Sequence, residues 1–123
     1  MWMNQINSMK KPALSLFFLC SVILVGYAQL IKTSLTVTVR DELGNTAGEV
    51  SVKLFETEAD YLAEKNPAAE GKTDAKGVVK FKNLKAIAYF VLARKGDKDN
   101  AGKGEATGKL EENKFNKVTI IIE

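Results

Sequence analysis

The stretch that decides the fold is residues 34–56, SLTVTVRDELGNTAGEVSVKLFE, in which two alternating runs flank a segment rich in Asp, Gly and Asn. Leu35, Val37 and Val39 alternate with polar residues, and so do Val50, Val52 and Leu54. A period of two places the apolar side chains of each run on one face, so both runs read as strands with one buried side. Between them Gly44 and Asn45 take positive φ at little cost, and the chain is expected to turn there. It then runs back through residues 49–55, with Glu49 and Lys53 on the wet face.

The rest of the chain reads as strands that close over this pair. Residues 57–69 mix Ala59, Tyr61, Leu62 and Ala63 with acids behind Thr57, which suits a short helix capped by Thr57 and ended before Pro67. Tyr61 or Leu62 is expected to pack it on the edge of the strands. A turn cluster at 71–77 leads into a strand at 78–84. Residues 89–93 are apolar at nearly every position, the pattern of a central strand buried on both faces. Residues 95–105 form the most polar stretch and are expected to be a solvated loop. A short edge strand is expected at 106–110, and 115–123 closes the domain with Val118, Ile120 and Ile122 directed one way.

Composition excludes more chemistry than it suggests. The 123 residues contain no His and a single Cys, Cys20, within an apolar N-terminal run. Residues 29–123 therefore lack both thiol and imidazole, which removes Cys/His zinc sites, thiol nucleophiles, Ser-His-Asp triads and His bases, and leaves no disulfide framework. A domain of this size buries enough apolar surface to stand without one. The formal charge is +3, from 18 basic and 15 acidic residues. Without Lys10 and Lys11 it becomes 16 against 15, or +1, which gives no electrostatic reason to expect nucleic acid.

The N-terminus reads as a secretory signal peptide over residues 1–28, with translation starting at Met1 or at Met9. Lys10 and Lys11 precede the apolar run 12–25, and Gly26, Tyr27 and Ala28 end it with the small residues signal peptidase reads. Cleavage after Ala28 leaves Gln29 as the mature N-terminus and residues 29–123 as the domain. The run falls short of the about 20 residues that cross a bilayer, so no stable span is expected after cleavage. A retained anchor and lipidation at Cys20 are the alternatives; Leu19 stands where a lipidation site wants a small residue.

Taken together, LTVTVRDELG from Leu35, GEVSVKL from Gly48, TDAKGVVKFKNL from Thr73 and YFVLA from Tyr89 resemble the carboxypeptidase regulatory-like family. Collagen-adhesin B-type repeats share the layout. The resemblance implies an all-β, single immunoglobulin-like or transthyretin-like sandwich of about seven strands, here with one short helical insertion and the N-terminal signal helix. Asp74 and Gly77 then form a tight turn in which the Asp accepts from nearby amides, while Phe81 and Leu84 face the core with Val37, Val52, Val91 and Ile120. Ala86-Ile87 replace the family's usual Pro-Gly pair. Adhesin repeats with an internal isopeptide carry a Lys in the first strand, and this first strand has none. The hydrolases of the transthyretin-like group depend on His, so their chemistry does not carry over.

Few side chains offer a site. Asp97, Asp99, Asn100 and Glu105 supply the clustered oxygens calcium prefers, but Lys98 and Lys103 stand among them and Gly108 falls where a bidentate Glu would be needed. Phe55, Phe81, Phe90 and Phe115 sit at core-like positions, which leaves Tyr61 and Tyr89 as surface aromatics for a sugar. Lys65, Lys72, Lys76, Lys80, Lys82 and Lys85, interspersed with acids, read as a solvated face. The sequence thus points to a non-enzymatic module, exported to the periplasm or cell exterior, serving protein interaction or envelope structure. Its partner is expected to be another envelope or extracellular protein, and no cofactor is implied. The alternative is a small-ligand module, for carbohydrate or calcium, using loops at one end of the sandwich.

Overall fold

A computed structural model describes residues 32–123. The signal peptide, the Met9 start, Cys20 and the Ala28–Gln29 cleavage site lie outside the described residues. Seven strands and one helix follow in the order β1 Ser34–Asp41, β2 Ser51–Phe55, α1 Glu58–Ala63, β3 Ala69–Lys72, β4 Val78–Phe81, β5 Phe90–Lys95, β6 Lys98–Asp99 and β7 Phe115–Ile122. They form two sheets, β4-β1-β7 and β3-β2-β5-β6. The protein is a β-sandwich.

The segment 41–48 turns the chain as its composition implies, but β1 and β2 are not a hairpin pair. β1 pairs antiparallel with β4 and parallel with β7, whereas β2 pairs antiparallel with β3 and β5. The turn is an arch that carries the chain from one sheet to the other. Its physical reason is that both runs bury one face against the same core, so each must lie in its own layer with the apolar faces opposed. Leu35, Val37 and Val39 from one side meet Val50, Val52 and Leu54 from the other, all fully buried. Phe81, Val91, Ile120 and Ile122 complete this core, with Leu84 and Val118 packed against it.

Polar side chains tie down the arch. Asp41 Oδ1 accepts from the amides of Leu43 and Asn45, each at 3.0 Å. The buried Thr73 hydroxyl accepts from Val50 N–H at 2.9 Å and donates to the Ala47 carbonyl at 2.8 Å. Asp74 Oδ1 accepts from Lys76 N–H at 2.9 Å and Val78 N–H at 3.1 Å, which is the turn role its sequence context implies. Gly77 holds φ +76°, and a Cβ there would stand 2.7 Å from the Val39 carbonyl oxygen, so the tight approach of this turn to β1 requires glycine.

β5 lies between β2 and β6 and is buried on both faces. Val91 and Ala93 point into the sandwich, while Leu92 and Phe90 join Phe55 and Tyr61 in a second apolar cluster outside it. Helix α1 covers that outer cluster. Thr57 caps it by accepting from Asp60 N–H at 3.1 Å, and Glu64 ends it with φ 52° ahead of Pro67.

Three expectations are corrected. Residues 69–72 are a strand, taken from the end of the expected helical segment 57–69 and the start of the expected turn 71–77; Ala69 and Gly71 face the core, and the bare Gly71 lets Val79 approach. Residues 106–110 make a single bridge, Ala106 to Phe90, and no strand. The polar run 95–105 is not a free loop. Gly96 and Asp97 form a two-residue hairpin turn into β6, and Asn100 behind it is fully buried.

Asn100 completes β5 with its side chain. Ala93 N–H donates to Asn100 Oδ1 and Asn100 Nδ2 donates to the Val91 carbonyl, both at 2.8 Å. Asn100→Ala strands both groups in the interior and is expected to lower unfolding free energy by about 2–4 kcal/mol in urea titrations. Asn100→Asp keeps the acceptor but sets a carboxylate against the Val91 carbonyl. Burial raises the pKa of that new carboxyl in the folded state above about 3.9. The variant should therefore lie nearest to the parent in acid and lose stability as pH rises through that value.

Candidate functional site

The structure separates the residues singled out for calcium. Asp97 is exposed at the β5–β6 turn. Asp99 Oδ2 accepts from Arg94 Nε at 3.3 Å and its Oδ1 from Ala101 N–H at 3.1 Å. Both polar ends of the Asn100 amide are spent on β5, and Glu105 meets that strand through its carbonyl, which accepts from Val91 N–H at 2.9 Å. Among the described residues no three carboxylate, Cys or His side chains converge on a common point.

The aromatics are also redistributed. Tyr61 and Tyr89, the two aromatics left for a sugar-binding surface, are both buried; of Tyr61 and Leu62 it is Tyr61 that packs the helix on the strands, while Leu62 is exposed. Tyr61 packs edge-on to Phe55 at 6.1 Å and tilted on Phe90 at 5.7 Å, and its hydroxyl donates to the Asn100 carbonyl at 3.2 Å. The Tyr89 hydroxyl accepts from Lys85 N–H at 3.0 Å. A tyrosine in an apolar stretch often reaches a buried polar group in this way, and that is the signal that marks Tyr89; Tyr61, set among acids, is marked only as the apolar anchor of its helix. Phe115 goes the other way. It is 65% exposed on β7, with Lys80 Nζ 4.7 Å above its ring. The six lysines of the middle segment are exposed, but Lys72 lies outward on one sheet and Lys80 outward on the other, so they make no single basic patch.

Among the described residues, a cleft of about 330 Å³ lies where the arch meets the β5–β6 turn, lined by Asp41, Thr46, Ala47, Gly48, Lys95, Asp97, Lys98 and Ile122. Asp97 is the one calcium candidate it contains. Lys95 Nζ donates to the Gly48 carbonyl at 2.7 Å and Lys98 Nζ stands 3.9 Å from Glu42. The amide of Asn45 holds the Asp41 carboxyl below its usual range, with Leu43 N–H and the charge of Lys98 adding to the effect. Asp41 therefore stays ionised. The cleft offers charges of both signs to polar groups and holds no nucleophile activated by a base.

A second charged cluster sits over the outer face of β5. Arg94 forks onto Glu64, Nη1 to Oε1 at 2.6 Å and Nη2 to Oε2 at 3.2 Å, while its Nε reaches Asp99. These contacts pin the end of α1 beside Tyr61, and between Arg94 and Lys53 they leave only a pocket of about 110 Å³.

No protein-family model and no curated protein matches the sequence. Among solved structures, the fold is similar to BcpA, the major pilin subunit of Bacillus cereus, with TM-score 0.52 and 20% identity over 75% of this chain and 30% of that one. It is similar as well to the Bacillus anthracis TIE protein, with TM-score 0.51 and 21% identity over 75% of this chain and 17% of that one. What is shared is the sandwich. The present chain spans less than a third of the length of either protein.

The Arg94 hydrogen bonds lower the Glu64 pKa from its ordinary 4.5. A carboxyl depressed in the folded state stabilises it above the unfolded pKa, and that contribution is lost as pH falls through the folded value. Thermal melts of Glu64→Gln should therefore show a shallower loss of stability below pH 4.5 than the parent. The difference should stay under about 1 kcal/mol, because both partners are partly exposed to solvent.

Proposed function

We propose that this chain is an exported, non-enzymatic β-sandwich module that works through contact with another envelope or extracellular protein. The observation that carries the reading is the use made of the polar side chains. Thr73, Asp74, Asp41 and Asn100 all end on backbone groups, which makes them parts of the frame and leaves the surfaces for recognition. The likeness to a major pilin subunit supports it, as does the charged-then-apolar pattern of residues 10–28. In this reading residues 1–28 are removed, residues 29–123 form the working domain, and the resemblance to carboxypeptidase regulatory-like domains reflects a common sandwich lineage.

The second reading, a small-ligand module, is favoured by the end cleft. Lys95 and Lys98 in its wall disfavour a bare cation and suit the hydroxyls of a sugar or an anion.

Expression of the full chain in a bacterial host, followed by fractionation and N-terminal sequencing, tests the first reading. The expected outcome is envelope or medium location with Gln29 at the N-terminus; a full-length cytoplasmic product overturns it. A thermal-shift screen of the same material separates the two readings. Calcium and a glycan panel are expected to leave the midpoint unchanged. A shift of several degrees with one ligand transfers the assignment to the cleft, since a ligand that binds only the folded state stabilises it by mass action.

A further inference from the structure

Strand β7 is the outermost strand of its sheet and pairs in parallel with β1 over its whole length, Ser34 with Phe115 through Asp41 with Ile122. Ser34 N–H donates to the Lys114 carbonyl at 3.1 Å. In a parallel ladder that phase turns the amides and carbonyls of Asn116, Val118 and Ile120 toward β1. Those of Phe115, Lys117, Thr119 and Ile121 point the other way. Glu123 shares the phase of this second set, and it exchanges both backbone hydrogen bonds with Asp99 on the side away from β1, at 3.1 and 3.2 Å. Ahead of that clasp, no described strand pairs with the outer edge of β7.

Exposed edges are usually short, bulged, interrupted by Pro or heavily charged. β3 and β6 are short, at four and two residues. β7 has eight residues, no Pro and one charge, Lys117, and its outward face carries two of the large exposed apolar side chains, Phe115 and Ile121.

We propose that β7 pairs antiparallel with β7 of a second copy of this chain, about a two-fold axis at Val118, joining two three-stranded sheets into one. The register follows from charge and hydrogen bonding. Only registers that set outward-pointing residues against one another close the ladder. An axis at Lys117 places that lysine against its own symmetry mate, like charge on like. An axis at Thr119 sets Phe115 against the partner's Glu123, whose backbone groups Asp99 already holds. With the axis at Val118, Phe115 meets the partner's Ile121 and Lys117 meets the partner's Thr119. Every outward amide and carbonyl of the four residues then finds a partner, and each end of the seam covers an exposed ring with an exposed Ile. This self-complementarity is what points to a second copy.

A seam of one strand pair is small beside the about 1,200 Å² at which stable interfaces begin, so the dimer should form reversibly as concentration rises. The inference rests on the fold and supplies a partner for the interaction reading. A monomer that is correctly exported would overturn the inference and leave that reading for a different protein.

The test is sedimentation velocity of the full chain, as purified from the exporting host, over a range of concentrations, with the variants Thr119→Glu and Thr119→Lys. Thr119 is exposed and its amide serves no ladder bond to β1, so both variants are expected to melt with the parent. Thr119→Glu sets a carboxylate against the partner's Lys117 twice per dimer and should tighten association about 2- to 30-fold, while Thr119→Lys should weaken it by a similar factor. Three results overturn the proposal: a monomer at every concentration, association indifferent to both variants, or weakening by Thr119→Glu, which an axis at Thr119 would produce by setting Glu against Glu.

Discussion

Because Val91 and Ala93 of β5 point into the sandwich while Phe90 and Leu92 point out of it, this strand needs an apolar cover on each side. The facing sheet supplies the first. The second comes from six residues of helix, whose Tyr61 lies over Phe55 and Phe90. A helix this short does not hold itself. It is held by the contacts that radiate from β5: the Tyr61 ring, the Tyr61 hydroxyl on the Asn100 carbonyl, and the fork of Arg94 on Glu64. Cover and edge thus hold each other. Asn100 links the two, since its side chain bonds Val91 and Ala93 of β5 while its backbone carbonyl receives the tyrosine.

How much of this was legible in the sequence depended on whether a residue acted through periodicity or through one contact. The strands β1, β2, β5 and β7 and the inward set Val118, Ile120 and Ile122 announce themselves by alternation, or by an unbroken apolar run, because burial acts on every second residue or on all. β3 does not. It has four residues, Ala-Glu-Gly-Lys, and it exists by pairing with β2 while Gly71 leaves room for Val79 of the other sheet, a fact about Val79 as much as about Gly71. The placement of β1 and β2 in different sheets was likewise hidden, since a hairpin and an arch share the same turn residues. Asn100 sat in the most polar run of the chain, where average polarity reads as solvent and a single amide bonding two backbone groups leaves no trace. Tyr89 reads as wet when its hydroxyl is counted without the partner that lets it be buried, and Tyr61 stays open between strand edge and solvent for the same reason. The cleft at the arch was legible only in part, through Asp97, because its other walls come from segments distant in the chain.

Several polar side chains share one role. At four places where the chain enters or leaves a sheet, a side chain takes over hydrogen bonds that a neighbouring strand would have made. Thr73 does so where the arch enters β2, Asp74 at the turn into β4, Asp41 at the end of β1, and Asn116 by donating to the carbonyls of Ser34 and Glu111. An interior amide or carbonyl left unpaired costs more than a surface bond returns, so these positions are set by the backbone they serve. A sandwich whose polar residues are committed in this way recognises other molecules with what remains: loop ends, outward faces and strand edges.

The strand edges differ because of how the two sheets meet. On one side β4 borders β3, and the bare Gly71 lets Val79 pack against it. On the other side β6 reaches β7 only through the paired bonds of Asp99 and Glu123. Had the hairpin continued, β6 would have run past Asn100 along the outer side of β5. It stops because Asn100 takes Ala93 N–H with its side chain while its own carbonyl receives Tyr61. The residue that completes the double burial of β5 therefore ends the strand beside it at two residues. The open length of β7 is the consequence: the means that closes one strand against water leaves the backbone of another facing outward.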